Sequence, residues 1–207
     1  MSDPFLLLIL SSPSGAGKTT LTRKLREKFP NLRFSVSHTT RKPRATEENG
    51  RDYHFINRKD FDELVEREAF LEWAHVHENC YGTSLGEIER AKADPQCAGI
   101  IFDIDYQGAR QIRAKVPEAI AVFILPPSMI ELERRLKGRN SETEEMVRKR
   151  FAAAQVEIEH YGFFDYLVVN DEIDKAFGDL EGIILAERSR RHRRAELAER
   201  LLRAGKL

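Results

Sequence analysis

The sequence has little cysteine and no excess charge of either sign. Its 207 residues include two cysteines, Cys80 and Cys97, and these do not show metal-ligand spacing. We therefore expect two reduced thiols rather than a disulfide framework or a zinc site. Lysine plus arginine equals aspartate plus glutamate, at 34 residues each, so net charge favours neither a nucleic acid nor a membrane as partner.

Long apolar runs are also missing. The N-terminal run at residues 5–10 is too short for the core of a signal peptide or for a membrane span, and no basic segment precedes it. These absences predict a cytoplasmic protein without a membrane partner. Hydrophobic residues make up 41% of the chain, which is enough for a core and argues against disorder. The length suits one domain with a small inserted subdomain.

Apolar runs alternate with amphipathic segments along most of the chain. Continuous apolar runs of this kind suit strands of a parallel sheet that is buried on both faces. They lie at residues 5–10, 98–105, 119–125 and 166–170. Helical periodicity is found at 18–29, 107–115, 128–136 and 142–160, and one long closing helix is expected over 174–203. The pattern predicts an α/β fold with a parallel sheet flanked by helices.

Residues 34–95 break this rhythm. Short alternating or aromatic-rich stretches surround two helical segments, at residues 59–67 and 85–93. We interpret this part as a small mixed α/β lobe inserted into the sheet domain. The basic run at 188–194 is interpreted as a solvated helix face or a contact between copies of the chain, which leaves homo-oligomerisation open, rather than as a nucleic-acid site.

A glycine-rich stretch, SSPSGAGKTT at residues 11–20, follows the first predicted strand. Gly17, Lys18 and Thr19 match the end of the phosphate-loop pattern G-x-x-x-x-G-K-[ST], although Ser12 replaces its first glycine. In this pattern the lysine reaches the β- and γ-phosphates and the hydroxyl faces Mg²⁺. A strand before the loop and a helix after it are the context that the pattern requires. We therefore expect a nucleotide-phosphate site comprising Ser12, Pro13, Ser14, Gly15, Ala16, Gly17, Lys18, Thr19 and Thr20.

Polar groups suited to a second phosphate lie in the inserted lobe. Arg41 and Arg44 are separated by Lys42 and Pro43, and two nearby guanidinium groups suit a phosphate dianion. Tyr53 could add a hydroxyl donor. Asp103 and Asp105 end a predicted strand, a position from which an acidic residue often supports Mg²⁺ in phosphate-loop proteins.

These motifs together resemble the guanylate kinase family. The matching pieces run in family order to about residue 185, and include PSGAGKTT, SVSHTTRKPR, ENGRDYHF, FLEWA, YGTS, IFDIDYQGA, SETEEMVRKR and YLVVND. The resemblance implies a kinase domain at 4–185, with a core at 1–33, 96–126 and 161–207, a GMP-binding lobe at 34–95 and a lid at about 127–160. It implies transfer of the γ-phosphate of ATP, with Mg²⁺, to GMP and dGMP as substrates.

The resemblance also implies roles for individual residues. It assigns guanine to hydroxyls and carboxylates, on Ser37, Thr83, Glu72 and Asp103. It assigns the GMP phosphate to Arg41, Arg44, Tyr53 and Tyr81. It assigns catalysis to Lys18, Arg44, Arg139 and Arg150, and the rest of the ATP site to Arg135, Asn170 and Asp171. Thr19 would hold Mg²⁺ through ATP, and Asp103 through water.

Three further positions depart from the family pattern. Thr46 and Asn140 replace glycines, and Cys80 replaces a tyrosine. Thr46 is expected to need a less common backbone angle or a shifted loop. Ser141 with Glu144 is a candidate capping box for the lid helix.

The sequence leaves two alternative functions. One is a scaffold-type binding module, which Lys18 and the lid arginines disfavour. The other is a kinase with another acceptor, which the guanine-reading set disfavours.

Overall fold

The computed structural model describes residues 4–76, 78–138 and 143–205. In chain order the strands are β1 Leu6–Ser11, β2 Leu32–Phe34, β3 His38–Thr39, β4 His54–Phe55, β5 Phe70–Val76, β6 Asn79–Ser84, β7 Gly99–Asp103, β8 Ile120–Leu125 and β9 Tyr166–Val169. The helices are α1 Lys18–Lys28, α2 Arg58–Glu66, α3 Leu85–Ala93, α4 Tyr106–Lys115, α5 Met129–Lys137, α6 Glu144–Glu159, α7 Ile173–Arg188 and α8 Arg191–Ala204. None of the helices in these ranges is both long and apolar enough to cross a membrane.

The core is a parallel five-stranded sheet with the strand order β2-β7-β1-β8-β9. Its central strand β1 is buried along its whole length, as the continuous apolar run predicts. β1 pairs with β7 through Ile9 and Phe102 and with β8 through Leu8 and Ile120. The predicted α/β class with a parallel sheet is confirmed. Strand β2 is missing from the sequence-based prediction because its three residues are too few to stand out.

Helices cover both faces of this sheet. One face packs against α1 and α7, with Leu21 and Leu180 in its apolar cluster. The other face packs against α3 and α4, with Ala91 and Ile112 in its cluster. Successive side chains of β1 therefore point alternately into the two apolar clusters, one on each face of the sheet. This explains why the strand is apolar throughout.

Two helix predictions were wrong in detail. The long helix expected over 174–203 is two helices, α7 and α8, separated by Ser189 and Arg190. The turn brings Arg190 back onto Glu187, a buried carboxylate that also accepts a hydrogen bond from the Tyr166 hydroxyl.

The second correction concerns the start of helix α6. This helix begins at Glu144, and Thr143 rather than Ser141 is its N-cap, since the Thr143 hydroxyl accepts from the Met146 amide. Ser141 lies outside the described residues.

A second sheet, with the order β4-β3-β6-β5, forms the inserted lobe together with α2. Phe61 of α2 packs on Phe70 and Cys80 of this sheet in a small apolar cluster. Both cysteines are free thiols, as expected. The lobe limits 34–95 stay a prediction, and both ends of that range contact the core: Phe34 belongs to β2, and Ala91 packs in the core cluster.

Candidate active site

A cleft opens between the two sheets, above the carboxyl ends of β1 and β7. Its inner part is a cavity of about 170 Å³. The predicted residues that line this cavity are Lys18, Ser37, Tyr53, Glu72, Tyr81 and Asp103. A wider cleft of about 670 Å³ adjoins it, is lined by Thr19 and Arg44, and shares three residues with the inner part. Residues predicted for the donor and for the acceptor phosphate therefore meet at one place, the usual site of ligands on an open parallel sheet.

The phosphate loop has the backbone that its glycines permit. Gly15 and Gly17 have φ of 91° and 95°, in the left-handed region that favours glycine. Gly17 caps α1, so the positive end of that helix points at the loop. Among the described residues Glu68 is the one non-glycine residue with positive φ. Ser12 therefore takes the first glycine's place without backbone strain, and the expected uncommon φ at Thr46 is not found.

Lys18 is held at the end of the neighbouring strand. Its ammonium group forms an ion pair with Asp103 and donates to the carbonyl of Ile104 at 3.3 Å. Asp103 ends β7, which lies next to β1 in the sheet. A phosphate on the loop would therefore compete with Asp103 for the lysine.

The far side of the loop is supported from the last strand. Asn170, which follows β9, is buried and donates from its side-chain amide to the carbonyl of Ala16 at 2.7 Å. Asp171 beside it is exposed. Asn170 therefore fixes the shape of the loop, a contact that the sequence alone does not predict.

Hydroxyl and carboxylate groups converge in the corner of the cavity that is predicted to bind guanine, which we call the guanine corner. The hydroxyls of Ser37 and Thr83 lie 3.1 Å apart. Glu72 is paired with Thr83 in the β5–β6 register and is only 3% exposed. Burial raises the pKa of Glu72 to about 7, and hydrogen bonds from Thr83 oppose this rise. This corner offers the donors and the acceptor that a guanine edge requires.

A buried carboxylate outside the predicted set orders the segment between β2 and β3 that carries Ser37. Glu87 of α3 is 1% exposed and accepts a hydrogen bond from the amide of Val36 at 3.2 Å. Arg90, one turn later on the same helix, forms an ion pair with it. Sequence reasoning missed Glu87 because nothing local marks a helix residue that contacts a connecting segment 51 positions away.

The corner that is predicted to bind the GMP phosphate, which we call the phosphate corner, is organised by Glu47, which sequence reasoning also missed. Arg41 donates to both carboxylate oxygens of Glu47, at 2.9 and 3.0 Å, and these hydrogen bonds raise the pKa of Arg41. The Arg44 amide donates to Glu47 at 2.8 Å, while the Arg44 side chain is largely exposed. The Tyr53 and Tyr81 rings meet edge-on at 6.0 Å. Glu47 thus contacts two of the predicted phosphate-binding residues, Arg41 and Arg44, and Tyr81 hydrogen-bonds to Arg41.

The lid residues are only partly described. Arg139 and Asn140 lie outside the described residues. Arg150 is half-buried on α6, and Arg135 on α5 donates to Glu131 at 2.7 Å. Arg134 donates to Glu131 as well, and the two guanidinium groups lower the pKa of Glu131 to about 2.

The described part of the chain offers few ligands for a cation. Within the described ranges no group of three or more histidine, cysteine, aspartate or glutamate side chains could hold a metal ion. Asp105 instead caps α4, accepting from the amide of Gly108 at 2.9 Å. Thr19 and Asp103, which line the wider cleft, suit a Mg²⁺ ion that keeps most of its waters and is held mainly by nucleotide phosphates.

The fold and the site together define a class. A parallel sheet with a phosphate-loop sequence after its first strand, facing a second cluster of arginines and tyrosines over the same sheet edge, is typical of phosphate-loop kinases that act on nucleotides.

Comparison with known proteins identifies the family within this class. A model of the guanylate kinase family matches residues 6–187. Curated guanylate kinases from Dechloromonas aromatica and Escherichia coli K12 are 47% and 48% identical over 202 and 198 residues, which is 95% of this chain in each case and 98% and 95% of theirs. The crystal structure of guanylate kinase from Anaplasma phagocytophilum matches with a TM-score of 0.74 at 31% identity, covering 92% of this chain and 89% of that one. This chain belongs to the guanylate kinase family, and it transfers the γ-phosphate of ATP to GMP.

Proposed function

We propose that GMP binds in the cavity of the inserted lobe, that ATP binds on the phosphate loop, and that the phosphoryl group passes directly between them. The observation that carries this assignment is that Lys18 and Glu72 line the same cavity. A donor-phosphate group and a base-reading carboxylate within one cavity suit a direct transfer.

For guanine, the hydroxyls of Ser37 and Thr83 donate to O6, and the carboxylates of Glu72 and Asp103 accept from N1–H and N2–H. Adenine lacks the N1–H and presents an amino group to the hydroxyls. Adenine would leave these polar groups unpaired, so the site should discriminate against adenine nucleotides by a factor on the order of 10⁴ to 10⁵. The GMP phosphate is assigned to Arg41, Arg44, Tyr53 and Tyr81.

The transfer itself needs no side-chain nucleophile. An oxygen of the GMP phosphate forms a bond to the γ-phosphorus while the bond from that phosphorus to the β–γ bridging oxygen breaks, and ADP leaves with the electron pair. Lys18, Arg44, Arg139 and Arg150 stabilise the charge on the transferring group, because positioning and electrostatics supply most of the catalysis in phosphoryl transfer. Arg135, Asn170 and Asp171 complete the ATP site.

The family uses ATP with a divalent metal, and we assign this metal as Mg²⁺. The Thr19 hydroxyl would hold it directly and Asp103 through water. When bound, Mg²⁺ neutralises charge on the β- and γ-phosphates. We further propose that dGMP is a substrate, because the assigned residues read the base and the phosphate. We also propose that the enzyme is cytoplasmic, where its charged substrates are found.

A panel of acceptors tests the assignment. ADP release from ATP is measured with GMP, dGMP, AMP, CMP and UMP, and we expect activity with the two guanine nucleotides alone. A preference for AMP or UMP would overturn the guanine pocket.

Lys18→Met tests the donor site. We expect turnover to fall by roughly 100-fold or more, as for loss of a charge-stabilising group in a transition state. Lys24→Met is the matched control, since Lys24 lies on the same helix, points to Asp174 and is outside the cleft. Wild-type turnover in Lys18→Met would show that the loop assignment is wrong.

A further inference from the structure

A carboxylate of the lid helix contacts the phosphate loop. The backbone amide of Ser14 donates to Oε2 of Glu157 at 3.3 Å, across 143 positions of sequence. Ser14 belongs to the loop whose amides face a bound phosphate in this class of protein. Glu157 lies on α6 and is half-buried. A carboxylate of the protein thus accepts a hydrogen bond from a backbone amide in a loop that is suited to binding anions.

The surroundings of Glu157 belong to the same site. Lys18 attracts its carboxylate and Asp105 repels it. Burial raises the pKa of Glu157 to about 7, and the Ser14 hydrogen bond lowers it in part. The phosphates of a nucleotide would bring further negative charge to Lys18 and to the loop amides. A phosphate and an ionised Glu157 could not both remain there without strong repulsion.

Glu157 lies on the same helix as a predicted catalytic residue, Arg150. Arg150 precedes it by seven positions on α6, which is close to two full turns and places both on one face of the helix. On the N-terminal side of Glu157, Val147 and Ala154 pack α6 against Leu132 and Leu136 of α5. The Ser14–Glu157 contact therefore ties a helix that carries Arg150 to the phosphate loop.

We propose that Glu157 is a positioning residue of the donor site, whose carboxylate docks α6 on the empty phosphate loop and competes with the nucleotide for the Ser14 amide. Phosphate on the loop displaces Glu157, and α6 becomes free to bring Arg150 to the transferring group. This inference rests on the proposed placement of ATP on the loop. A protein that must first release such a contact binds its ligand with an apparent Kd raised by the inverse of the released fraction.

Direct binding of a non-hydrolysable ATP analogue with Mg²⁺, measured by calorimetry, tests this competition. Glu157→Gln keeps the shape and removes the charge, and Glu157→Ala removes the acceptor. If the docked form makes up about 70–90% of the empty enzyme, both variants bind the analogue roughly three- to tenfold more tightly than wild type. The KM for ATP falls in parallel while kcat does not rise.

Two controls sharpen the experiment. Glu159→Gln changes an exposed carboxylate of the same helix and leaves analogue affinity unchanged. The Kd for GMP is the same in every variant, because Glu157 does not line the acceptor cavity. Unchanged or weaker analogue binding in Glu157→Gln and Glu157→Ala overturns the inference. Failure of the wild-type enzyme to bind the analogue would instead overturn the proposed donor site.

Discussion

The carboxylate of Glu72 lies where a side chain on Gly108 would begin. A Cβ atom built on Gly108 would be 2.6 Å from Oε2 of Glu72, which is too close for any real contact. Gly108 is in the first turn of α4, where its amide donates to Asp105. The absence of a side chain at this helical position makes room for the buried carboxylate that we assign to guanine.

Gly108→Ala is expected to weaken GMP binding selectively. The new methyl group pushes the Glu72 carboxylate out of the guanine corner, so the Kd for GMP rises by about tenfold or more, as when a buried polar partner is misplaced. The Kd for ATP is unchanged, and calorimetry with each nucleotide measures both. Gly182→Ala in α7 is the matched control, because a Cβ there meets nothing within 4 Å. That control should leave GMP affinity intact and stabilise the fold by about 0.4–1 kcal/mol.

GMP binding is expected to strengthen as the pH rises from 6 to 8. In the proposed assignment guanine needs the ionised form of Glu72, whose pKa is raised to about 7 in the free protein. At pH 6 most of the carboxyl is protonated and at pH 8 most is ionised, so affinity increases by roughly tenfold. The sign is opposite for stability. Because the folded pKa is the raised one, the stabilising contribution of this carboxyl is full below its unfolded pKa and is lost as the pH rises through about 7.

Glu72→Gln provides the control for this pH dependence. The phosphate of GMP titrates in the same range, and that effect remains in the variant. Isothermal titrations at pH 6, 7 and 8 on both proteins therefore isolate the Glu72 contribution as a difference. An identical pH slope in the two proteins would contradict the assignment of Glu72 to the guanine base.

The donor half of the site could be predicted from the sequence because its parts are local, whereas the guanine-reading residues were assigned through the family resemblance. The phosphate loop is a contiguous stretch, and a strand before it with a helix after it fixes where Lys18 points. The roles of Gly108, Glu87 and Asn170 could not be predicted, since each depends on a partner between 36 and 154 positions away. The break between α7 and α8 was missed for a similar reason. Helical periodicity continues on both sides, while the turn is supported by the pairing of Arg190 with Glu187 and by the hydrogen bond from the distant Tyr166 hydroxyl to Glu187.

Asn170→Ala is expected to damage the donor site alone. The substitution leaves the buried carbonyl of Ala16 without the amide that it accepts from, which costs about 1–3 kcal/mol and loosens the phosphate loop. The Kd for the ATP analogue should rise while the Kd for GMP stays constant. Val169→Thr, at an exposed position of the adjoining strand, is the control and should bind both nucleotides like wild type. Equal ATP affinity in Asn170→Ala would show that the loop keeps its shape without this contact.

Glu47→Gln is expected to separate recognition of the GMP phosphate from recognition of the base. Glu47 holds the Arg41 guanidinium through two hydrogen bonds and also accepts from the Arg44 amide. The amide side chain can satisfy only part of this arrangement, so Arg41 loses its fixed orientation and the Kd for GMP rises by about tenfold. Guanosine, which has the base without the phosphate, should bind the variant and the wild type equally. Glu48→Gln is the matched control, because Glu48 is exposed and pairs with Arg51 rather than with Arg41. A parallel loss of guanosine binding in Glu47→Gln would mean that Glu47 supports the whole lobe rather than its phosphate corner.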